Sequence, residues 1–201
     1  MLFRSVVAYV PGIDGTDDLI DSMQHTYPHV RIVRAPFSEQ FARSKGFMIN
    51  ESVKAASGQW IVLLDSDTLI APNMIAALDA IESSCDFVAP DGRKMLDKET
   101  TAAILLGEIE PWRQWNELVE GASGEVRLRE ACSVPIGYCQ CVRRECLDKI
   151  PYEELDHFEG ADWRFAIRVR ELYGREKRLS GVPVLHLDHS GSQWYGTTRH
   201  L

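Results

Sequence analysis

The sequence of 201 residues lacks several features that would identify large classes of protein. It has no apolar run of the roughly 18–20 residues that a membrane-spanning helix needs. The amino terminus, a short strand-like run followed by Pro11 and Gly12, has no apolar region of signal-peptide length, so we expect a cytoplasmic protein. Basic residues are outnumbered, with 22 Lys and Arg against 30 Asp and Glu, and the net charge of −8 disfavours nucleic-acid binding. Internal repeats and low-complexity segments are absent.

Cysteine is scarce and irregularly spaced. The five cysteines, Cys85, Cys132, Cys139, Cys141 and Cys146, are odd in number and lack the spacing of a disulfide framework. We therefore expect reduced thiols that pack as small hydrophobic side chains. Cys139 and Cys141 do not form a zinc signature, and in a strand their side chains would share one face.

An alternation of strand-like and helix-like segments occupies the first 90 residues. With 45% hydrophobic residues and this length, the chain can bury the core of a single domain. The predicted strands are Ser5–Val10, Val30–Val33, Trp60–Leu64 and Asp86–Pro90. The predicted helices are Asp17–Tyr27, Phe41–Ala56 and Asn73–Ser83. This order predicts an α/β fold with a mostly parallel sheet flanked by helices.

The segment Asp91–Glu130 is more polar and is predicted to be a partly helical excursion that could cover a substrate. Within it, Trp112 and Trp115 are three positions apart and would share one helix face. They would either anchor that helix to the core or form a stacking platform for a sugar ring. Four further segments follow. They are a predicted strand, Cys132–Val142, a short helix from Arg143 to near Pro151, a helix, Asp162–Tyr173, with Gly174 as its C-cap, and a last strand, Val182–His189.

Two carboxylates, Asp65 and Asp67, follow the most apolar predicted strand, Trp60–Leu64. We expect this strand to be central and buried on both faces, with its carboxyl end at the ligand crevice of an open α/β sheet. Two neighbouring carboxylates repel each other unless a cation or a proton lies between them, and hard divalent cations prefer oxygen ligands. The alternative is a pair of solvated, turn-forming aspartates.

Four motifs in order resemble those of nucleotide-sugar-dependent glycosyltransferases of the GT-A fold. The motifs are Phe41–Gly46 with Ala55–Gly58, then Leu63–Asp67, Gly137–Arg144 and Phe158–Phe165. The chain is most similar to the family-2 type with a galactosyltransferase-like C-terminal region, over roughly residues 5–190. The resemblance implies a GT-A-type, Rossmann-like fold in one domain. Its nucleotide-sugar-binding half would be residues 5–90, its helical excursion 91–130 and its acceptor and metal half 131–201.

The resemblance also implies a donor and a metal. The donor would be a nucleoside diphosphate sugar, by the family's habit a UDP-sugar, and the enzyme a hexosyl- or N-acetylhexosaminyl-transferase. Asp67 would hold Mn²⁺ or Mg²⁺, with Asp65 assisting or touching the ribose. The family's third ligand is often a histidine beyond the acceptor motif, for which His186 and His189 are candidates. Three positions apart on one strand, they point to opposite faces, so at most one would reach the metal unless the strand breaks between them.

Residues implied to contact substrate lie in the other motifs. Arg43 and Lys45 would contact the diphosphate or the base, although a solvated helix face is the plain alternative. Asp162 would be the general base of an inverting transfer to a hydroxyl acceptor, or only a helix N-cap. Glu159 and Trp163 would contribute to acceptor binding.

The sequence departs from the family pattern in two places. The family's Glu immediately before the base position is Ala161 here, and two alternatives follow for Glu159: it replaces that Glu in acceptor binding, or it is a surface residue. Ser5–Val10 and the acidic turn after it resemble the family's second strand, which implies a reduced N-terminal β-α unit. Contacts to the nucleotide base of the donor would then come from Tyr9–Asp14 or from the partner chain of an oligomer.

Two alternatives follow from these departures and from the Asp-x-Asp motif itself. The first is a degenerate nucleotide-sugar-binding module without turnover. The second is a haloacid-dehalogenase-type phosphohydrolase with Asp65 as nucleophile, but that family has Thr or Val where this chain has Leu69.

Overall fold

The computed structural model describes residues 4–81, 86–129, 133–135, 137–157 and 160–189. Its ten described strands are Arg4–Tyr9 (β1), Arg31–Pro36 (β2), Trp60–Leu64 (β3), Thr68–Leu69 (β4), Phe87–Pro90 (β5), Gly92–Leu96 (β6), Gly124–Leu128 (β7), Cys139–Arg143 (β8), Lys177–Leu179 (β9) and Val184–His186 (β10). The seven described α-helices are Thr16–Thr26 (α1), Lys45–Val53 (α2), Met74–Asp79 (α3), Lys98–Leu105 (α4), Trp115–Glu120 (α5), Arg144–Lys149 (α6) and Ala161–Tyr173 (α7).

The chain divides into two compact units, each drawn from three stretches of sequence. The first unit contains the described residues of Met1–Leu63, Ser83–Val88 and Val134–Lys177. The second contains those of Leu64–Glu82, Ala89–Ser133 and Arg178–Leu201. The predicted Asp-x-Asp motif and both candidate histidines therefore belong to the second unit, whereas Asp162 belongs to the first.

The first unit is built on a parallel strand pair and part of a larger sheet. β1 and β2 pair in parallel from Arg4 opposite Arg31 to Tyr9 opposite Pro36. The larger sheet has the order β3-β8-β5-β9, with β5 and β8 antiparallel. The aromatic ring of Phe165 on α7 lies at the centre of the core and stacks on Tyr152 with ring centroids 4.3 Å apart. The predicted α/β fold is confirmed, and its sheets are mixed.

The second unit contains a four-stranded sheet of order β4-β10-β6-β7. β10 is parallel to β6 and antiparallel to β4, and β7 is antiparallel to β6. Its small core cluster consists of Leu96, Leu118 and Leu185. The sheet positions the end of β10 against the beginning of β4, since His186 pairs with Thr68.

Residues 91–130, predicted as a partly helical excursion from the sheet, contain α4 and α5 but also supply the strands β6 and β7. Neither strand has the apolar pattern by which a strand is predicted from sequence, because both contain polar residues. Lys94 on β6 is buried, and its amine donates to the carbonyl oxygens of Val119 and Gly121, so a charged side chain occupies a core position. β7 is mostly exposed and therefore lacks the alternation of a half-buried strand.

β3 occupies the predicted residues but is not a central strand buried on both faces. It stands at one end of the described sheet order, and Ile61 is its one fully buried residue. Leu64, the last residue of the strand, is exposed. An apolar run alone does not distinguish a central strand from one at a sheet edge whose side chains are half covered.

The Arg-Arg pair of the third motif holds the first unit together. The guanidinium of Arg143 lies 4.2 Å from the ring centroid of Trp60. Arg144 donates from Nε to the carbonyl of Gly58 at 3.2 Å and from Nη2 to that of Ala56. These carbonyls follow the end of α2, which stops at Val53 rather than at the predicted Ala56. A cation near C-terminal helix carbonyls is favourable, so both arginines have structural roles.

The described cysteines are free thiols in apolar surroundings. Cys139, Cys141 and Cys146 are buried, and Cys85 and Cys132 lie outside the described residues. Burial, with a smaller contribution from the charge of Asp86, raises the pKa of Cys146 to about 12. A hydrogen bond with Cys139 raises the pKa of Cys141, as expected if both side chains share a strand face.

None of the helices that the structure describes is long and apolar enough to span a bilayer.

An ion pair near the end of α7 gives a large predicted effect on stability. Arg170 donates from Nη2 to Glu176 Oε2 at 2.8 Å, and the Glu176 side chain is only 1% exposed. Glu176→Gln removes the negative charge that the Arg170 guanidinium, 25% exposed, faces at 2.8 Å. Breaking an ion pair of which one member is buried is strongly destabilising. We therefore expect Glu176→Gln to lower the free energy of unfolding by about 3 kcal/mol, measured by urea denaturation.

The exposed pair between Arg164 and Glu153, 3.2 Å apart, provides the matched control. Glu153→Gln makes the same chemical change in water, and such pairs contribute about 0–1 kcal/mol. Equal destabilisation by the two substitutions would contradict the assignment of a specific role to the buried pair.

Candidate active site

The end of β10 brings two histidines to the carboxylate of Asp67. β10 stops at His186, and the Leu187 amide then donates to the carbonyl of Asp67 at 2.8 Å. Since the strand ends there, the alternation of faces does not continue to His189. The predicted strand Val182–His189 is therefore too long, and the break between the histidines permits both to approach one carboxylate.

The three side chains meet at a single oxygen atom. Asp67 Oδ2 lies 3.1 Å from His189 Nε2 and 3.5 Å from His186 Nε2. One ligand atom from each residue lies within 4.8 Å of the other two. His186 is buried and His189 and Asp67 are half-buried, so the cluster is open on one side. The arrangement could hold a metal ion with one oxygen and two nitrogen ligands.

The tautomer of His186 leaves this cluster without a positive charge beside the Asp67 carboxylate. His186 Nδ1 is 2.9 Å from the carbonyl of Leu187, which can only accept a hydrogen bond, so Nδ1 carries the proton. Burial lowers the pKa of His186, with the charge of Arg93 acting in the same direction and that of Asp67 opposing it. Neutral His186 then presents the Nε2 lone pair towards the Asp67 carboxylate. Two electron-rich groups facing each other favour a cation between them.

Asp65 is not part of this cluster. Its carbonyl oxygen accepts a hydrogen bond from the Thr68 amide at 3.1 Å in the turn between β3 and β4. Asp67 also accepts from the Thr68 hydroxyl, at 3.3 Å. The two aspartates of the motif therefore differ, and Asp67 is the one that the histidines approach.

In the first unit, Asp162 accepts hydrogen bonds from two backbone amides. The Trp163 amide donates to Oδ1 at 2.8 Å, and the Gly137 amide donates to Oδ2. α7 begins at Ala161 after Gly160, which has a left-handed φ of 78°, so Asp162 lies inside the first turn and is not the N-cap. The carboxylate instead joins the start of α7 to the loop that contains Gly137.

Gly137 allows this approach because it has no side chain. A Cβ at this position would lie 2.7 Å from Asp162 Oδ2 and 2.8 Å from Lys45 Nζ. The ammonium group of Lys45 and the carboxylate of Asp162 therefore both lie against Gly137. Lys45 is the first residue of α2, which starts four residues later than predicted, and Arg43 is exposed in the turn before it.

A buried polar network supports the same region. Gln140 on β8 donates to the carbonyls of Pro135 at 2.9 Å and Asp162 at 3.3 Å, and its own oxygen accepts from the hydroxyl of Tyr152. Asn50 bonds both the amide and the carbonyl of Tyr152. The network fixes the loop and the helix start between which Asp162 is held.

A model of the family described as "Glycosyltransferase like family 2" matches residues 4–172. The chain belongs to this glycosyltransferase-like family. The search of the curated proteins found no match.

Solved structures share the fold of this glycosyltransferase-like chain. The mannosyltransferase PcManGT from Pyrobaculum calidifontis, in complex with GDP-Man and Mn²⁺, has a TM-score of 0.58 and 18% identity over 92% of this chain and 47% of its own. TarS 1-349 from S. aureus has a TM-score of 0.59 and 13% identity over 91% and 50%. Glucosyl-3-phosphoglycerate synthase from Mycobacterium tuberculosis, in complex with Mn²⁺, UDP and glucosyl-3-phosphoglycerate, has a TM-score of 0.50 and 16% identity over 92% and 61%. The chain thus spans about half to three fifths of their lengths.

The structure describes some of the remaining predicted contact residues of this family member and adds candidates that the sequence did not indicate. Trp163 is half exposed on α7, and Glu159 lies outside the described residues. Gly137 and Gln140 were not predicted as site residues. A glycine close to the start of a strand can indicate a close backbone approach, and Gly137 lies two residues before β8. Nothing in the sequence identified Asp162 as the group that it approaches.

Proposed function

We propose that this domain is a metal-dependent, inverting glycosyltransferase that moves a sugar from a nucleoside diphosphate donor to a hydroxyl acceptor. The observation that carries the proposal is the convergence of His186 and His189 on Asp67, the second aspartate of the Asp-x-Asp motif. Membership of the glycosyltransferase-like family gives this cluster its context. Asp65 would then contact the donor from the turn after β3.

Mn²⁺ fits the proposed ligands better than Mg²⁺. Imidazole suits first-row transition metals, whereas Mg²⁺ prefers oxygen ligands and retains water. The His186 Nε2 lone pair and the Asp67 carboxylate supply both kinds of ligand. When bound there, the ion would neutralise charge on the diphosphate of the donor.

Asp162 is the proposed general base. The acceptor hydroxyl oxygen attacks the anomeric carbon from the face opposite the leaving group and forms the new C–O bond. The bond between that carbon and the phosphate oxygen breaks, its electron pair leaves with the diphosphate, and Asp162 takes the hydroxyl proton. Each carboxylate oxygen accepts one backbone amide, so each retains a lone pair for this proton.

Lys45, Arg43, Trp163 and Glu159 have proposed supporting roles. The Lys45 ammonium lies beside Gly137, where it can contact an anionic group of a substrate. Exposed Arg43 is available to a diphosphate, and half-exposed Trp163 to an acceptor. Glu159 is proposed to bind the acceptor on the strength of the motif alone.

The test is a donor-hydrolysis and transfer assay. UDP- and GDP-linked glucose, mannose and N-acetylglucosamine would be incubated with Mn²⁺, with or without the methyl glycosides of the same sugars as acceptors. We expect release of UDP or GDP with one donor, stimulation by one acceptor, and loss of both activities with EDTA. The assay includes both uridine and guanosine donors because the similar structures contain GDP-Man in one case and UDP in another.

Thermal stability measured on the same samples separates the alternatives. Stabilisation by Mn²⁺ and a nucleotide without turnover would favour a binding module. Hydrolysis of p-nitrophenyl phosphate that is lost in Asp65→Asn would favour a phosphohydrolase and overturn the proposal.

A further inference from the structure

We propose that a groove in the second unit is a saccharide-binding subsite separate from the Asp67 cluster. The groove has a volume of about 530 Å³. Trp112 and Trp115 form part of its lining together with Pro72 and Pro183. The rest consists of amide and carboxylate side chains with Arg113, Val119 and Gly181. The inference rests on the proposed function in one respect, because a glycosyltransferase has saccharides as acceptors and products.

The two tryptophans differ in their relation to the core. Trp115 is the first residue of α5 and packs against the cluster of Leu96, Leu118 and Leu185. Trp112 precedes the helix and is 62% exposed. The expectation that both lie on one helix face is therefore wrong. Trp115 provides a fixed wall, whereas Trp112 contributes little to the core and leaves a large aromatic surface open to a ligand.

The polar lining matches hydroxyl groups rather than anions. Gln114 is held by the Glu110 amide, which donates to its Oε1 at 3.1 Å, and its Nε2 lies 3.5 Å from Glu117. The cation Arg113 is paired with Glu110 at 2.7 Å, and Glu120 adds a second carboxylate to the lining. Indole faces beside amides and carboxylates suit a ligand with apolar ring faces and hydroxyl edges. The acidic balance disfavours nucleotides and other phosphates.

The groove lies at the opposite end of β10 from the candidate metal ligands. Pro183 immediately precedes β10, and His186 ends it. β4 is antiparallel to β10 and is followed by Pro72, so both prolines lie at the end remote from His186. At about 3.3 Å per strand residue, some 10 Å separates Pro183 from His186 along the strand. A ligand here is therefore distinct from a donor at Asp67, and a second attachment point would raise the effective concentration of a saccharide acceptor.

The test is direct binding of neutral hexasaccharides without metal or nucleotide. Maltohexaose, cellohexaose, chitohexaose and mannohexaose would be titrated by calorimetry and tryptophan fluorescence. We expect at least one to bind and Trp112→Ala to weaken its binding about tenfold, the scale of one lost aromatic contact. Trp112→Phe should retain most of the affinity. Leu128→Ala, at another exposed apolar side chain of this unit, is the matched control and should have no effect.

Two measurements keep this inference distinct from the proposed function. Asp67→Asn should weaken Mn²⁺ binding at least about 100-fold and leave hexasaccharide binding unchanged. Trp112→Ala should weaken hexasaccharide binding about tenfold and leave Mn²⁺ binding unchanged. The absence of binding by all four hexasaccharides, or binding that Trp112→Ala does not weaken, would overturn the subsite. Mn²⁺ binding in the wild-type protein would still report on the metal cluster in either case.

Discussion

Asp67→Asn should weaken Mn²⁺ binding at least about 100-fold and reduce metal-dependent donor hydrolysis by two to three orders of magnitude. Asp67 Oδ2 is the atom on which both histidines converge, at 3.1 and 3.5 Å. Asparagine has nearly the same shape but carries no charge, so the proposed site keeps its two imidazole ligands and loses its anionic ligand. Mn²⁺ affinity can be measured by electron paramagnetic resonance, and donor hydrolysis by release of the nucleotide.

The fold should survive this substitution because Asp67 anchors the end of β10 through its backbone. The Leu187 amide donates to the Asp67 carbonyl, a bond that asparagine retains. Asp79→Asn is the matched control, since it removes a carboxylate from an exposed position at the end of α3 in the same unit. Unchanged Mn²⁺ affinity in Asp67→Asn would show that the cluster is not a metal site.

How far the sequence predicted this site depends on which physical signal each part carries. The abrupt change from apolar to acidic residues after Trp60–Leu64 is visible in the sequence and indicated both aspartates, of which only Asp67 lies in the histidine cluster. The convergence of both histidines was not predictable, because it depends on β10 ending at His186 after a length set by its pairing with β4 and β6. Strand alternation alone gave opposite faces for the two residues.

In the fold, too, elements with a local sequence pattern were predicted, and elements that depend on tertiary contacts were missed. Helix α7 matches its prediction to within one residue, because its apolar period is clear and Gly174 follows with a φ of 83°. β6 was missed because Lys94 occupies a buried position that only its two carbonyl acceptors make tolerable. Those acceptors lie about 25 residues away in sequence, so no local pattern predicts them.

Asp162→Asn should reduce transfer by a factor of about 10²–10⁴ while leaving Mn²⁺ and donor binding unchanged. The amide cannot take the proton of the acceptor hydroxyl. Asparagine offers one acceptor oxygen where aspartate offers two, so either the Gly137 or the Trp163 amide loses its partner. Both amides are at most partly buried, so we also expect destabilisation by about 1 kcal/mol, the net contribution of one hydrogen bond. Transfer would be measured with the donor and methyl glycoside found in the panel assay, and stability by urea denaturation.

Gly137→Ala separates the base role of Asp162 from its structural role. The new methyl group would meet Asp162 Oδ2 and Lys45 Nζ at less than 3 Å, so it should displace the carboxylate without neutralising it. A loss of transfer in both variants, with donor binding retained, fits a base whose position matters. Asp148→Asn, at an exposed position on α6, supplies the matched control for removal of one charge from the first unit. If Asp162→Asn is destabilised yet transfers at the wild-type rate, Asp162 only holds the start of α7 to the loop at Gly137, and another group takes the proton.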